Sequence, residues 1–291
     1  MYKIVKKRDL NPLTSLMEVY APRMASSAKP GQFLIVRAHD KGERIPLTIC
    51  DYDSDAGTVT IVTQVVGASS RQICHLEEGD FFTDFAGPLG EPSEFIHKGA
   101  EELSKMKFLF IAGGLGTAPV YPQVKFLSSM GAKVDVIIGA KSKDMLIFEE
   151  EMKNVCNNLY ICTDDGTYGK KGLVTNLMTE ILDKERYDHL VAIGPMIMMK
   201  FVTLAAKPYN IPLTVSLNTL MVDGTGMCGA CRVTVAGKTR FACVEGPEFN
   251  AYEVDFDEAM RRQGMYKSIE VEKDHNCKIG LGHHKTLQNE K

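Results

Sequence analysis

Apolar residues fall along this chain in two rhythms, and the change comes near residue 100. Before it, short strand-like runs at 33–37, 58–66 and around Phe81 and Phe82 are broken by Pro, Gly and Asp. That spacing is expected of a small antiparallel barrel. Residues 1–7 already alternate as a strand and lack the apolar core of a signal peptide. The polar, turn-rich stretch 89–106 reads as a connection between domains. Beyond it, apolar runs at 108–112, 134–138, 159–163 and 189–193 alternate with helical segments, the first over about 120–129. Buried strands separated by helices of that length predict a parallel sheet. One more strand-like run, 213–217, leads into a loop rich in glycine and cysteine. The expected architecture is an antiparallel β-barrel over 1–99, an α/β domain over 100–222, and a small module over 223–291.

Composition narrows the class. The 291 residues are 44% hydrophobic and 24% charged, with a net charge of −3. No basic field is present to attract nucleic acid, and the apolar runs are too short to cross a bilayer. Eight cysteines in a chain of this kind point to a cytoplasmic protein whose thiols ligate metal more readily than they pair as disulfides. Cys50, Cys74, Cys156 and Cys162 lie in apolar surroundings and read as small buried hydrophobes.

Three of the remaining cysteines carry the chemistry. Cys228 and Cys231 form a C-x2-C pair, Cys243 follows after eleven intervening residues, and Asp223 precedes Cys228 with four residues between them. With a Cys in place of Asp223 the spacing would be C-x4-C-x2-C-x11-C, the ligand rhythm of a plant-type [2Fe–2S] site. Gly224, Gly226 and Gly229 let the backbone curl around an inorganic core and point amides at its sulfides. A dithiol redox pair and a zinc site of three Cys and one Asp stay open. The strand-like 232–235 after Cys231 argues against the first, because a thioredoxin-type pair opens a helix. No second closely spaced ligand pair supports zinc.

Two further sets of residues suit phosphate and flavin. The turn after the run 108–112 holds Gly113, Gly114, Gly116, Thr117 and Pro119, and opens a helix whose N-terminus suits a pyrophosphate. Gly194 and Pro195 end a later strand, at the sheet edge where such folds bind ligands. In the barrel region Arg44 could neutralise phosphate, and Thr48, after Pro46 and Leu47, could hydrogen-bond a flavin edge. Gly67, Ser69 and Ser70 open a helix and could serve an anion. Taken singly, each also reads as an ordinary turn or cap.

Their order along the chain, with Pro30 to Phe33 ahead of them and Gly87 to Gly90 between, resembles the ferredoxin–NADP reductase superfamily. The cysteine loop after the nucleotide domain narrows the resemblance to electron-transfer subunits of the dihydroorotate dehydrogenase type. Asp223 in the first ligand position, with residues 43–48, looks most like the small-subunit family of NADH-dependent reduced ferredoxin:NADP oxidoreductases. The resemblance covers all but about the last twenty residues. It implies FAD on the barrel, with Pro46, Leu47 and Thr48 lining the isoalloxazine and Ser69 and Ser70 serving its phosphates. It implies NAD(H) framed by the 113–119 turn and Gly194, and one [2Fe–2S] cluster on Asp223, Cys228, Cys231 and Cys243. It also implies a heterodimer with a larger iron–sulfur flavoprotein that serves ferredoxin and NADP(H), in flavin-based electron bifurcation. One departure is local: the superfamily sets its Arg three residues before the Ser or Thr, whereas Arg44 lies four before Thr48. The alternative is the electron-transfer subunit of an NAD-dependent dihydroorotate dehydrogenase in pyrimidine synthesis. Lys141, Ser142 and Lys143 could accommodate a 2′-phosphate, yet the resemblance selects NADH. Residues 256–264 predict a short glycine-capped helix, and the segment from Asp274 through His283 and His284 predicts a solvated tail.

Overall fold

The computed structural model describes residues 1–280. Seven strands form the first sheet: β1 (Tyr2–Asn11), β2 (Thr14–Tyr20), β3 (Phe33–Arg37), β4 (Ile45–Asp53), β5 (Thr58–Gln64), β6 (Phe81–Phe82) and β7 (Asp84–Leu89). Their spatial order is β6-β1-β2-β5-β4-β3-β7, antiparallel throughout. The two outermost strands are separated in sequence by Thr83 alone, so the sheet curls back to near closure as a barrel. Alternation places Ile4, Met17, Val19, Leu34, Val36, Ile49, Val59, Ile61, Phe82 and Phe85 inside, all buried.

The second sheet contains β8 (Lys107–Gly113), β9 (Lys133–Ala140), β10 (Asn158–Thr163), β11 (Lys170–Lys171), β12 (His189–Ile193) and β13 (Leu213–Ser216). The order β11-β10-β9-β8-β12-β13 is parallel, and it reverses at β8, where the chain passes from one side of the sheet to the other. Covered on both faces, β8 is buried from Phe108 to Gly113. The helix after it runs Thr117–Ser129, three residues earlier than its apolar pattern indicates.

The last segment does not stand apart. β14 (Arg232–Val235) and β15 (Lys238–Phe241) form a small hairpin, and β16 (Glu248–Asn250) then pairs antiparallel with β13, extending the second sheet. The helix Phe256–Gln263 forms as expected, with the Asp255 side chain accepting from the Glu258 amide at 2.9 Å. Gly264 ends it at φ −81°, so this glycine is not used for left-handed backbone. The expectation of a loose tail from Asp274 needs correction. Lys267–Gly280 is a helix packed on Ala68–Cys74, held by Arg71 to Asp274 at 3.1 Å and Lys273 to Glu43 at 2.6 Å. Charge pairing that local pattern does not reveal ties it down. His283 and His284 lie outside the described residues.

Candidate functional site

The glycine turn after β8 and the Gly194 turn after β12 meet at the C-terminal edge of the parallel sheet. A Cβ on Gly116 would stand 2.2 Å from the Ile193 carbonyl oxygen, and one on Gly113 would stand 2.2 Å from Met198 Sδ. Gly194 approaches Gly113 so closely that its own Cβ would lie 3.2 Å from the Gly113 Cα. Only hydrogen fits at these contacts, which bares the backbone between the two turns. The Thr117 hydroxyl donates to the Gly114 carbonyl at 2.9 Å and is fully buried, so it shapes the turn. Pro119 is half-buried two residues further in, and Pro195 is exposed. The helix from Thr117 has no side-chain cap and continues from the 3-10 turn Gly114–Gly116, where backbone amides already donate to the Gly114 and Leu115 carbonyls.

In the barrel, Pro46, Leu47 and Thr48 lie along β4 in register with Ile35, Leu34 and Phe33 of β3, and all three are half-buried. Gly67 is the N-cap of the helix Ala68–Cys74. The Ser70 hydroxyl accepts from the amides of Val66 and Gly67 and donates to the Gly67 carbonyl, so it stiffens that entry. Ser69 donates to Glu43 at 2.5 Å, and Lys273 and Ser69 together hold the Glu43 carboxyl below its ordinary range. Arg44 points elsewhere. Its Nε donates to the Val222 carbonyl at 3.2 Å and its Nη2 to that of Asp223 at 3.5 Å, tying the barrel to the cysteine loop.

That loop packs directly on the barrel. Cys231 and Cys243 share one buried cluster with Phe33, Ile35, Leu89 and Met221. A Cβ on Gly224 would meet Ile35 Cδ1 at 2.6 Å. Gly224, Gly226 and Gly229 take φ of 84°, 85° and 66°, left-handed backbone that turns successive amides inward. Cys228 is exposed, and amides of Ala230 and Asp223 lower its thiol pKa, favouring thiolate. Cys243 is pushed up to about 12 by burial and by the adjacent Cys231, their sulfurs 3.2 Å apart. The Asp223 carboxylate accepts from the Thr225 hydroxyl and, at 3.0 Å, from its amide. These bonds hold its pKa below the ordinary range.

The donor set fits a [2Fe–2S] cluster. Two thiolates on one tetrahedral metal, at about 2.3 Å each, lie roughly 3.8 Å apart, and Cys231 with Cys243 needs only a small opening to reach that. Among the described residues no three His, Cys, Asp or Glu side chains converge on a single ion. A two-iron cluster does not ask for that, since its four donors are spread over two metals. Cys50 and Cys162 are buried, Cys74 also, and Cys156 is half-buried; burial raises the pKa of all four thiols.

Sequence reasoning missed a polar group at the meeting point of all three regions. Glu248 of β16 accepts from Ser93 Oγ at 2.9 Å and from Gln123 Nε2 at 2.8 Å. An isolated Glu after a Gly-Pro turn carries no signal in sequence; only the fold brings its partners to it.

Comparison with known proteins agrees with this geometry. Residues 218–255 match the iron–sulfur cluster binding domain of dihydroorotate dehydrogenase B, and residues 110–203 match the oxidoreductase NAD-binding domain. The chain is 56% identical to an uncharacterized protein in the adh 3′ region of Clostridium beijerinckii, over 93% of this chain and 92% of that one. It is 43% identical to a dihydroorotate dehydrogenase B (NAD(+)) electron transfer subunit homolog of Thermotoga maritima, over 92% of both. The solved structure of an NADH-dependent reduced ferredoxin–NADP oxidoreductase, studied for flavin-based electron bifurcation, superposes with a TM-score of 0.86 at 42% identity. The match covers 94% of this chain and 97% of that one. The chain belongs to the family of dihydroorotate dehydrogenase B electron transfer subunits and their homologues.

Proposed function

We propose that this chain passes electrons between NADH and a larger iron–sulfur flavoprotein that serves ferredoxin and NADP(H). It is an oxidoreductase of the ferredoxin–NADP reductase type, the electron-transfer subunit of an NADH-dependent ferredoxin–NADP oxidoreductase. Its cofactors are FAD, NAD(H) and a [2Fe–2S] cluster. A nicotinamide supplies hydride, a cluster takes one electron at a time, and a flavin exchanges with both. The observation that carries the reading is the shared core of Cys231 and Cys243 with Phe33 and Ile35, which sets a one-electron centre against the flavin-type barrel.

The chain's own residues divide the work. Gly113, Gly116 and Gly194 clear the sheet edge, and a dinucleotide would be held there on the bare backbone of the turn that leads into the Thr117 helix. Thr48, beside Pro46 and Leu47 on β4, would hydrogen-bond the flavin edge. The turn of Gly67, Ser69 and Ser70 would serve its phosphates, Ser69 by exchanging its bond to Glu43. Cys228, Cys231, Cys243 and Asp223 hold the cluster, and Arg44 steadies the carbonyls at the loop's entry. Hydride transfer itself calls for no acid or base side chain. Among the described residues no helix is long and apolar enough to cross a membrane. A cytoplasmic site of action is supported by the cysteines of the described structure, all of them free.

Anaerobic co-purification with the product of the neighbouring gene tests this. The expected sample shows flavin and cluster absorption, iron and acid-labile sulfide in equal amounts, and flavin bleaching by NADH. A colourless protein defeats the reading. Co-purification with an orotate-forming flavoprotein selects the pyrimidine-pathway alternative, and a strong preference for NADPH overturns the choice of coenzyme.

A further inference from the structure

Glu248 is placed unlike any other carboxylate described above. Glu248 is half-buried, and both of its hydrogen bonds among the described residues fall on Oε1, which leaves Oε2 without one. The two groups that donate to it come from different parts of the chain. Ser93, fully buried, lies on the connection out of the barrel, and Gln123 lies on the helix that follows the glycine turn. Gly31 at the entry to β3 packs against it as well, since a Cβ there would stand 3.0 Å from Glu248 Oε1. The next residue, Phe249, packs into the core that holds Cys231 and Cys243. One carboxyl therefore touches the flavin barrel and the nucleotide-binding helix, and it is one residue from the packing around the cluster ligands.

No cation in this environment offsets the partial desolvation of its charge. The groups facing Glu248 are the neutral Ser93 and Gln123, the neutral Ser216 across the β13–β16 pairing, and Glu94, whose charge repels it. Among the described residues no cation acts on it. Burial lifts its pKa from 4.5 to about 7. The folded pKa lies above the unfolded one, so the group opposes folding increasingly as pH rises from 4.5 to about 7, and by a constant amount above that. A glutamine would keep both hydrogen bonds, and its amide could donate to the buried Gln123 Oε1, which has no partner. A carboxyl kept where an amide would be more stable points to a function for its proton.

We propose that Glu248 is a redox-linked proton site: one electron from NADH reaching the cluster draws one proton from solvent onto the Glu248 carboxylate. The charge added by the electron is offset by the proton, which occupies the vacant carboxylate oxygen, and no bond to the cofactor forms. Linkage makes the effect reciprocal, so protonated Glu248 favours the reduced cluster by the same factor. This rests on the proposed function, because it requires the cluster to be bound and NADH to be the donor.

The test is the cluster potential of the purified complex, followed by paramagnetic resonance between pH 5.5 and 9. Below about pH 7 the carboxyl is protonated in both redox states and the potential is expected to be flat. Above it, reduction takes up a proton and the potential falls with pH. Glu248→Gln should abolish the break and also raise the unfolding midpoint at pH 8. Ser93→Ala, which removes a donor that favours the ionised form, should move the break to higher pH. If Glu248→Gln does not load a cluster, Ser93→Ala decides the matter. A wild-type potential with no break, the same break in Glu248→Gln, or an unmoved break in Ser93→Ala overturns the proposal. Absence of any cluster signal in the wild type defeats it too, but by removing the proposed function beneath it.

Discussion

The nucleotide turn and the cysteine loop are both glycine-rich, yet they need glycine for different reasons. At Gly113 and Gly116 the backbone is not left-handed; a side chain is excluded by atoms 2.2 Å away, backbone among them. At Gly224, Gly226 and Gly229 every φ lies between 66° and 85°, while the facing atoms belong to Ile35, Val244 and Phe241 side chains. The first site uses glycine to create room, the second to set handedness. A further difference follows. The turn offers its ligand backbone, whereas the loop offers three thiols and a carboxylate and depends on particular side chains.

The largest effect should come from that dependence. Cys231→Ser and Cys243→Ser remove one donor each from the buried pair, and each should abolish stoichiometric cluster loading. Electron delivery to the partner should fall by more than the roughly 10–100-fold that loss of an outer-shell group costs. Iron and sulfide counts beside flavin content check this: both variants should keep FAD and NADH bleaching. Simultaneous loss of flavin would show the two sites to be one.

Gly116→Ala tests the claim about room. Its Cβ meets a backbone carbonyl that side-chain rotation cannot relieve, so the cost should reach about 3 kcal/mol in stability, with loss of nucleotide binding. Gly226→Ala tests handedness: left-handed backbone with a Cβ costs about 1–2 kcal/mol, and Val244 at 3.2 Å can rotate away. Thermal unfolding of both variants checks the order, and a larger loss at Gly226 than at Gly116 would break the contrast.

How much of this was legible in the sequence follows the same division. The alternation of strands gave the barrel, and continuous apolar runs gave the parallel sheet, because both report local periodicity. Cysteine spacing pointed to a loop within the matched iron–sulfur segment 218–255, because its thiols are close in sequence. What escaped depends on contacts far apart along the chain: β16 joining β13, the helix Lys267–Gly280 held by Arg71 and Glu43, and Glu248 meeting Ser93 and Gln123. Arg44 escaped for a subtler reason. Its motif suggests phosphate, while its side chain reaches carbonyls 178 and 179 residues away in sequence.

Arg44 supplies the finest test of the contrast, because it links the flavin strand to the loop that depends on handedness. It is half-exposed and also lies 3.5 Å from Asp84, so Arg44→Ala should cost about 1 kcal/mol or less in stability. The bonds it makes to the Val222 and Asp223 carbonyls fix the backbone at Asp223, the proposed first ligand. Freed of them, that end of the loop gains motion while Cys231 and Cys243 stay packed against Phe33 and Ile35. The expected result is a cluster with a broadened paramagnetic spectrum and an FAD affinity within about threefold of wild type, a difference below 1 kcal/mol. Arg44→Lys should behave like Arg44→Ala, since a single ammonium cannot span two carbonyls as a planar guanidinium does. If instead FAD affinity falls tenfold or more while the cluster spectrum is unchanged, Arg44 serves the flavin phosphates. The tie between barrel and loop would then rest on apolar packing alone.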